Sequence, residues 1–276
     1  MSKKIVKILG VRLDCVKRSF VMSDVADNIS YGKKLFLSTP NPEILLASRK
    51  NKEFFDVLNS TYLNLTDGMG IIWASYFLKI SNENGKFFVI LKWFWSLILL
   101  VFYEKKLYEV VPERITGVDF MYDFCGVCAK KGFSVFLLGA ADGVADETAE
   151  ILMKKFNGLN VVGTYAGYPT AEYEERICNM VNDSGADVLF VAYGAPKQEL
   201  WIARNFKKLN FVKMAIGIGG SFDFISGNVK RAPKMMRKFG LEWLFRLVMQ
   251  PKRWRRIFNA LVVFPVVILM DCLRRS

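Results

Sequence analysis

An aspartate in a short glycine-containing string is the clearest candidate for acid–base chemistry. Asp67 follows the strand-like run Tyr62–Leu65 and precedes Gly68 and an apolar helical stretch. A carboxylate at a strand end can take a proton from an attacking hydroxyl group, which makes Asp67 a candidate general base. The same position suits a helix N-cap, a role that aspartate often fills. The residue types alone leave both roles open.

Histidine is absent from the chain, which excludes an imidazole base, a Ser-His relay and a histidine metal ligand. Chemistry therefore falls to Asp, Glu, Lys, Arg, Tyr, Cys or backbone groups. The sequence also contains no DxD pair, so it lacks the commonest ligand pattern for a Mg²⁺ ion that bridges a nucleotide diphosphate.

Several turns offer groups that could contact a phosphate or a sugar. The rigid turn Thr39-Pro40-Asn41-Pro42 presents one hydroxyl and one amide, although the residues alone favour a plain turn closed by Asn41. The string 139–143 is similar to a loose phosphate loop but lacks the full GxGxxG pattern. The strings 194–199 and 217–223 combine backbone donors with a cation, an amide and a carboxylate suited to a ribose hydroxyl. A tight turn explains either string alone, whereas their shared position at strand ends favours one nucleotide cleft. The candidate contacts are Gly139, Gly194, Lys197, Gln198, Gly219, Gly220 and Asp223.

These candidates need a parallel sheet to bring them together. Short apolar runs, rich in β-branched residues, end at glycine or proline turns and lead into helical patterns, which predicts βαβ units with helices on both faces of the sheet. In such sheets ligands bind beyond the carboxyl ends of the strands. The predicted strands are Leu35–Ser38, Phe133–Leu138, Val188–Tyr193 and Phe211–Ile218, and the helical patterns after the first three are Glu43–Asn51, Val144–Phe156 and Gln198–Lys207.

Cysteine usage and the N-terminus indicate a reducing compartment. Five cysteines at irregular spacing do not form a disulfide pattern. Cys125 and Cys128 lie in the helical pattern Val118–Lys131, so we expect this CxxC pair to belong to a helix face. The apolar run in Met1–Gly10 is far too short for a signal peptide, and we expect a cytoplasmic protein.

Positive charge is concentrated at the C-terminus. Residues 229–276 contain twelve Lys/Arg and two Asp/Glu, a net charge of +10, which leaves +3 of the total +13 for the rest. Basic residues beside Trp, Phe and Leu are typical of an interfacial membrane segment, and a packed helix with a solvated charged face is the alternative. The apolar segment Phe87–Tyr103 is marginal in length for a spanning helix, so we predict membrane contact, with an ordinary buried helix as the alternative.

Taken in order, the motifs resemble the WecG/TagA/CpsF family of bacterial glycosyltransferases from about Ile8 to Arg256. The strings that carry the resemblance are ILGVRLD from Ile8, STPNPE from Ser38, TDGMGIIWAS from Thr66, PERITGVD from Pro112, GAPKQELWIA from Gly194, GIGGSFDFISG from Gly217, KRAP from Lys230 and GLEWLFRL from Gly240.

The resemblance implies an α/β fold with a Rossmann-like core, in agreement with the predicted parallel sheet, and a C-terminal appendage that closes over the site. From its basic and aromatic composition we expect this appendage to dock on a membrane. We expect a glycosyltransferase core over residues 1–228, with an apolar insertion at about 79–111, and the appendage over 229–276. Both the insertion and the apolar run Ala260–Met270 depart from the family pattern.

The same resemblance implies an inverting transfer from a UDP-sugar to an acceptor on undecaprenyl diphosphate, with no essential metal and no cofactor. Family members commonly transfer N-acetylmannosamine, or its uronic acid, to lipid-linked N-acetylglucosamine. Asp67 would be the general base, Thr39, Asn41 and Gln198 would line the cleft, and Asp223 would contact the nucleotide. The arginines that would stabilise departing UDP are Arg231, Arg246, Arg253 and Arg256.

We expect the partners to be the UDP-sugar, the lipid-linked saccharide and the anionic cytoplasmic face of the cell membrane, with a homo-oligomer as a further partner to test and no nucleic acid. Two other functions remain alternatives. A nucleotide-dependent oxidoreductase could use the same cleft, but the GxGxxG string is missing. A non-catalytic module could use the basic tail to bind a membrane or nucleic acid.

Overall fold

The computed structural model describes residues 4–81, 85–233, 235–236 and 242–275, and the side chains of 242 and 246 lie outside the description. Within this part the strands are β1 Lys4–Ile8, β2 Val11–Cys15, β3 Leu35–Ser38, β4 Leu63–Asn64, β5 Ser134–Gly139, β6 Asn160–Tyr165, β7 Val188–Ala192 and β8 Met214–Gly217.

Helices and strands are interspersed along the first 226 residues, and only helices follow in the described part of the C-terminal region. They are α1 Arg18–Ser30, α2 Pro42–Ser48, α3 Lys52–Ser60, α4 Met69–Ser81, α5 Lys86–Phe102, α6 Gly117–Lys131, α7 Val144–Lys155, α8 Ala171–Asp183, α9 Lys197–Asn205, α10 Ser221–Ser226, α11 Glu242–Met249 and α12 Pro251–Arg275.

Six of the described strands form one parallel sheet in the order β4-β3-β8-β7-β5-β6. Strands β5, β7 and β8 are buried along their whole length, as expected for a parallel sheet that is covered on both faces. The predicted α/β class, the parallel sheet and the helices on both faces are confirmed. The predicted strand Phe211–Ile218 is shorter in the structure, because it begins at Met214.

Alternate residues of the strands face two separate layers of helices. On one face, Leu137 and Phe190 pack with α1, α6 and α7; on the other, Leu138 and Val191 pack with α8 and α9. The predicted helix that carries the CxxC pair is α6, and both thiols are buried among the first of these layers. Burial raises the pKa of Cys125 to about 12, so this thiol stays protonated at neutral pH.

A small antiparallel hairpin, β1 with β2, anchors the edge of the sheet where β4 ends. Its turn has Leu9 and Gly10 at φ of 51° and 82°, the left-handed conformation that two-residue hairpin turns require. The buried Asp14 carboxylate accepts a hydrogen bond from the Asn64 backbone N–H at 2.8 Å. The ILGVRLD string therefore holds the short strand β4 in position.

The apolar segments of the sequence form a third packed region beside the sheet. In it, α4 and α5 pack against the hairpin and against α12. The indole N–H of Trp93 on α5 donates to the Pro265 carbonyl of α12 at 3.0 Å, and Phe264 and Ile268 of α12 are fully buried. The C-terminal helix thus shares a hydrophobic core with α4 and α5.

Helix α12 is continuous through its internal proline. A π-helical turn at Asn259–Val263 precedes Pro265, which lacks the N–H that a regular helical hydrogen bond needs. Of the described helices, Pro251–Arg275 is the one long and apolar enough to cross a bilayer by length and composition, and 22% of its most apolar window is buried. Helix α5 packs one apolar side on α4 and exposes Phe87, Phe88 and Phe94 on the other side.

Candidate functional site

The loops at the carboxyl ends of β3, β4, β7 and β8 open into one cavity of about 1590 Å³. Helices α5, α11 and α12 complete its wall. Of the predicted site residues, the cavity brings together Thr39, Asn41, Asp67, Gly194, Gln198, Gly219, Gly220, Arg231, Arg253 and Arg256. The location agrees with the rule that ligands bind beyond the carboxyl ends of parallel strands.

Asp67 is half-buried on the cavity wall, on the loop between β4 and α4. Its backbone N–H donates to the Pro40 carbonyl at 3.1 Å, which joins this loop to the turn after β3. The preceding residue, Thr66, is buried and accepts the Ile115 N–H at 3.0 Å through its carbonyl. Asp67 is therefore held on both sides by neighbouring segments, as a positioned acid–base group must be.

The turn after β3 uses its polar side chains largely for structure. The Thr39 hydroxyl donates to the Gly217 carbonyl at 3.2 Å and so ties β3 to β8. The Asn41 side-chain oxygen accepts the Ile44 N–H at 3.0 Å and caps α2. Both residues line the cavity, but the structure also gives Asn41 the local role that its sequence position suggested.

Gln198 holds the two glycine loops of the cavity together. Its side-chain oxygen accepts the N–H of Gly194 at 3.1 Å and the N–H of Gly219 at 3.0 Å. A Cβ at Gly217 would lie 2.6 Å from the Gln198 side-chain nitrogen, so only glycine leaves room for this amide. Gln198 is 1% exposed, and its principal contacts are with the protein itself.

A buried carboxyl group orients that amide. The Gln198 side-chain nitrogen donates to Glu199 Oε1 at 2.8 Å, and Glu199 is fully buried. Burial raises the pKa of Glu199 to about 7, in spite of the hydrogen bond from Gln198, because a charged carboxylate loses its hydration there. The Glu199–Gln198 pair thus fixes which end of the amide faces the glycine loops.

Arg231 reaches the cavity wall from the segment after α10. It forms two parallel hydrogen bonds with the Asp119 carboxylate, at 2.7 and 3.0 Å. Burial alone would raise the pKa of Asp119, but hydrogen bonds from Arg231 and from Thr116 outweigh it, and the pKa lies below its usual value. Such a bidentate pair presents the guanidinium in a fixed orientation.

Two further arginines come from α12. Arg253 donates to the Gln250 side-chain oxygen at 3.0 Å, and Arg256 forms an ion pair with Glu43 of α2 at 2.5 Å. The second contact joins the C-terminal helix to the STPNPE segment. Arg246 belongs to α11, but its side chain lies outside the described residues.

Three predicted residues do not line the cavity. Gly139 has φ of 106°, and a Cβ there would lie 2.8 Å from the Ala192 carbonyl carbon, so its glycine serves the contact between β5 and β7. Lys197 is exposed at the start of α9. Asp223 lies on α10 beside Gly220, just outside the wall. Their roles remain predictions.

The sequence reasoning missed several residues that line the cavity or hold its arginines. Arg114 is half-buried on the wall and stands in the PERITGVD string, where its charge was a usable signal. Glu43 and Asp119 act through arginines distant in sequence, and no local pattern indicated those pairs. Among the described residues, no group of three or more His, Cys, Asp or Glu side chains is arranged to hold a metal ion.

Comparison with known proteins adds an independent finding. A sequence model described as the glycosyl transferase WecG/TagA/CpsF family matches residues 6–87 and 98–276. A Bacillus subtilis strain 168 protein named N-acetylglucosaminyldiphosphoundecaprenol N-acetyl-beta-D-mannosaminyltransferase is 31% identical over 248 residues, 87% of this chain and 84% of its own. A Bacillus spizizenii strain W23 protein of the same name is 32% identical over 247 residues, 90% of this chain and 84% of its own.

Proposed function

The chain belongs to the WecG/TagA/CpsF family of glycosyl transferases, and from that premise we propose that it transfers an N-acetylmannosamine-type sugar from a UDP-sugar to N-acetylglucosamine on undecaprenyl diphosphate. The names of the two Bacillus relatives specify this acceptor and this sugar for those proteins. Their similarity extends over most of both chains, which supports the same reaction class here.

The observation that carries the proposal is the combination of groups on one cavity wall. A half-buried carboxylate, Asp67, shares the cavity with two glycine loops and with arginines from the C-terminal region. A sugar transfer from a nucleotide diphosphate needs these three elements: a base for the acceptor, close backbone approach for the donor, and cations for the leaving group.

The proposed reaction is a single displacement with inversion. The acceptor hydroxyl oxygen attacks the anomeric carbon, and its proton passes to the Asp67 carboxylate. The bond from the anomeric carbon to the diphosphate oxygen breaks, and its electron pair stays on UDP. Arg231, Arg253 and Arg256 then stabilise the added negative charge, with Arg114 as a further cation on the same wall.

The cations also account for the proposed independence from metal. Guanidinium groups are planar donors suited to two oxygens of one phosphate, and Arg231 is already held in a fixed orientation by Asp119. The lipid-linked acceptor supports transfer at a membrane surface, and we propose that this is the cytoplasmic face. The apolar surfaces of α5 and α12 provide a side that suits such contact.

UDP release from a panel of UDP-sugars tests the proposal directly. The assay is run with and without an undecaprenyl-diphosphate-linked N-acetylglucosamine acceptor, in detergent, with and without EDTA. We expect acceptor-dependent release with UDP-N-acetylmannosamine that EDTA leaves unchanged, and an anomeric configuration opposite to that of the donor. If no UDP-sugar gives UDP release, or if the anomeric configuration is retained, the proposal is contradicted.

A further inference from the structure

Part of the cavity is lined by apolar side chains of α5 and α12, and this part is called the channel. On α5 these side chains lie in the C-terminal half of the helix, and on α12 they lie in and beside the π-helical turn. The residues that line the channel are Trp95, Leu97, Leu99, Leu100, Val101 and Phe102 from α5 and Ile257, Ala260, Leu261 and Pro265 from α12.

Positive charge lies where α5 ends and the polar part begins. Lys105 and Lys106 are exposed, follow α5 directly and line the cavity, and Arg114 lies on the same wall. Among the described lining residues there are six Lys or Arg side chains and three carboxylates, those of Glu43, Asp67 and Glu104. The cavity as a whole therefore favours an anionic ligand.

Some of the apolar side chains that line the channel are also exposed at the surface. Phe102 is 72% exposed on α5, and Leu261 is 41% exposed on α12. The family match omits residues 88–97, which form most of the first half of α5. This wall is thus built in part by a stretch in which the chain departs from the family pattern.

We infer that the channel between α5 and α12 binds the polyprenyl chain of the acceptor, with Lys105 and Lys106 contacting its diphosphate. This inference rests on the proposed function. The cavity combines the Asp67 carboxylate, six cations and apolar side chains of two helices. A lipid-linked sugar presents groups suited to each of these, namely a reacting hydroxyl, a diphosphate and a hydrocarbon chain. The complementarity in charge and polarity selects this amphiphile as the occupant.

An acceptor-length series in detergent tests the channel without a membrane. Two acceptors are compared, one with the undecaprenyl chain and one with a short, water-soluble prenyl chain, and kcat/KM is measured for each. Phe102→Glu introduces a charge into the channel at an exposed position. Phe87→Glu is the matched control, because Phe87 is 68% exposed on the same helix but does not line the cavity.

We expect Phe102→Glu to lower the ratio of kcat/KM for the long acceptor to that for the short acceptor by about tenfold or more, mainly through KM, which corresponds to about 1.4 kcal/mol. Phe87→Glu keeps the wild-type ratio. Equal ratios in all three proteins would overturn binding of the polyprenyl chain in the channel. An equal fall of the ratio in both variants would overturn it too, because it would indicate general contact with the micelle. If the wild type turns over neither acceptor, the proposed function itself fails.

The lysines and the source of the lipid are tested separately. Replacing Lys105 and Lys106 together by alanine is expected to raise KM about tenfold for both acceptors, since both carry the diphosphate. Replacing Lys130 and Lys131 together by alanine is the matched control, because both are exposed at the end of α6 and lie outside the cavity. Undecaprenyl diphosphate without sugar is expected to compete with the acceptor, whereas phosphatidylglycerol in mixed micelles does not. Equal competition by the phospholipid would overturn the assignment to the polyprenyl chain.

Discussion

The two walls of the cavity are built on different physical principles. The sheet wall holds its groups by buried hydrogen bonds, such as the Gln198 amide between two glycine loops. The helical wall, formed by α5 and α12, holds its groups by side-chain packing and by exposed ion pairs such as Arg256–Glu43. Buried polar contacts fix geometry closely, and partly exposed charges tolerate movement. We therefore expect substitutions on the sheet wall to have larger effects than those on the helical wall.

The largest effect is expected at Asp67. Asp67→Asn removes the proton acceptor and should lower kcat by about 10²–10⁴-fold, the usual contribution of a general base. Acceptor-dependent UDP release measures it. Asp142→Asn is the control, because Asp142 is exposed and outside the cavity wall. Near-normal turnover in a folded Asp67→Asn protein would remove this residue from the mechanism.

Substitution of Gln198, which holds the two glycine loops together, should have the next largest effect, on stability as well as on activity. Gln198→Leu leaves two loop N–H groups without their acceptor and should lower the free energy of unfolding by about 3 kcal/mol. Urea unfolding measures the change. Gln250→Leu, at a half-buried glutamine of the helical segment, should change stability by less than about 1 kcal/mol. Equal losses in the two variants would contradict the contrast between the walls.

Glu199 should make the stability of the sheet wall depend on pH. Its pKa rises from 4.5 to about 7 in the folded protein. The folded state then binds the proton more tightly than the unfolded state, so the stabilisation is complete below about pH 4.5 and is lost as pH rises through about 7. The loss amounts to about 3 kcal/mol.

Unfolding measured from pH 4.5 to 8 tests this dependence. Glu199→Gln keeps an amide partner for Gln198 but cannot ionise, so its stability should vary less over the same range. A variant with the same pH profile as the wild type would show that Glu199 does not control it.

The smallest effect is expected on the helical wall. Arg256→Ala should lower kcat/KM by about tenfold, because one of several cations near the leaving group is lost. Arg255→Ala is the matched control, since the neighbouring Arg255 lies over the Trp254 ring and does not line the cavity. A loss as large as that at Asp67 would mean that the helical wall is as closely fixed as the sheet wall.

The sheet wall was largely predictable from sequence, and the helical wall was not. Local patterns indicated strands β3, β5 and β7 and the loops after them, because buried parallel strands and glycine turns leave a clear local pattern. The hydrogen bonds of Gln198 join two loops that are separate in sequence and come together only in the folded chain, so no local pattern predicted them. The pairing of α5 with α12, across 172 residues between Trp93 and Pro265, has no local pattern at all.

The two apolar segments illustrate the same limit. Composition suggested membrane contact for Phe87–Tyr103, with a buried helix as the alternative. In the structure α5 buries one side and exposes apolar side chains on the other, and membrane contact remains a prediction. The basic tail was interpreted as one appendage, and in the structure α12 also contributes to the core beside α4. Whether the appendage over 229–276 behaves as a unit remains a prediction.

The ion pair between Arg256 and Glu43 also lowers the affinity of the cavity for an anionic ligand. An anionic ligand that binds Arg256 must displace the Glu43 carboxylate, so the free energy of the ion pair is subtracted from the free energy of binding. Partly exposed pairs of this kind contribute up to about 1 kcal/mol, so the competition reduces affinity by less than about fivefold. Salt weakens both the ion pair and the contact with the ligand. The affinity at this arginine should therefore vary less with ionic strength than its charge alone suggests.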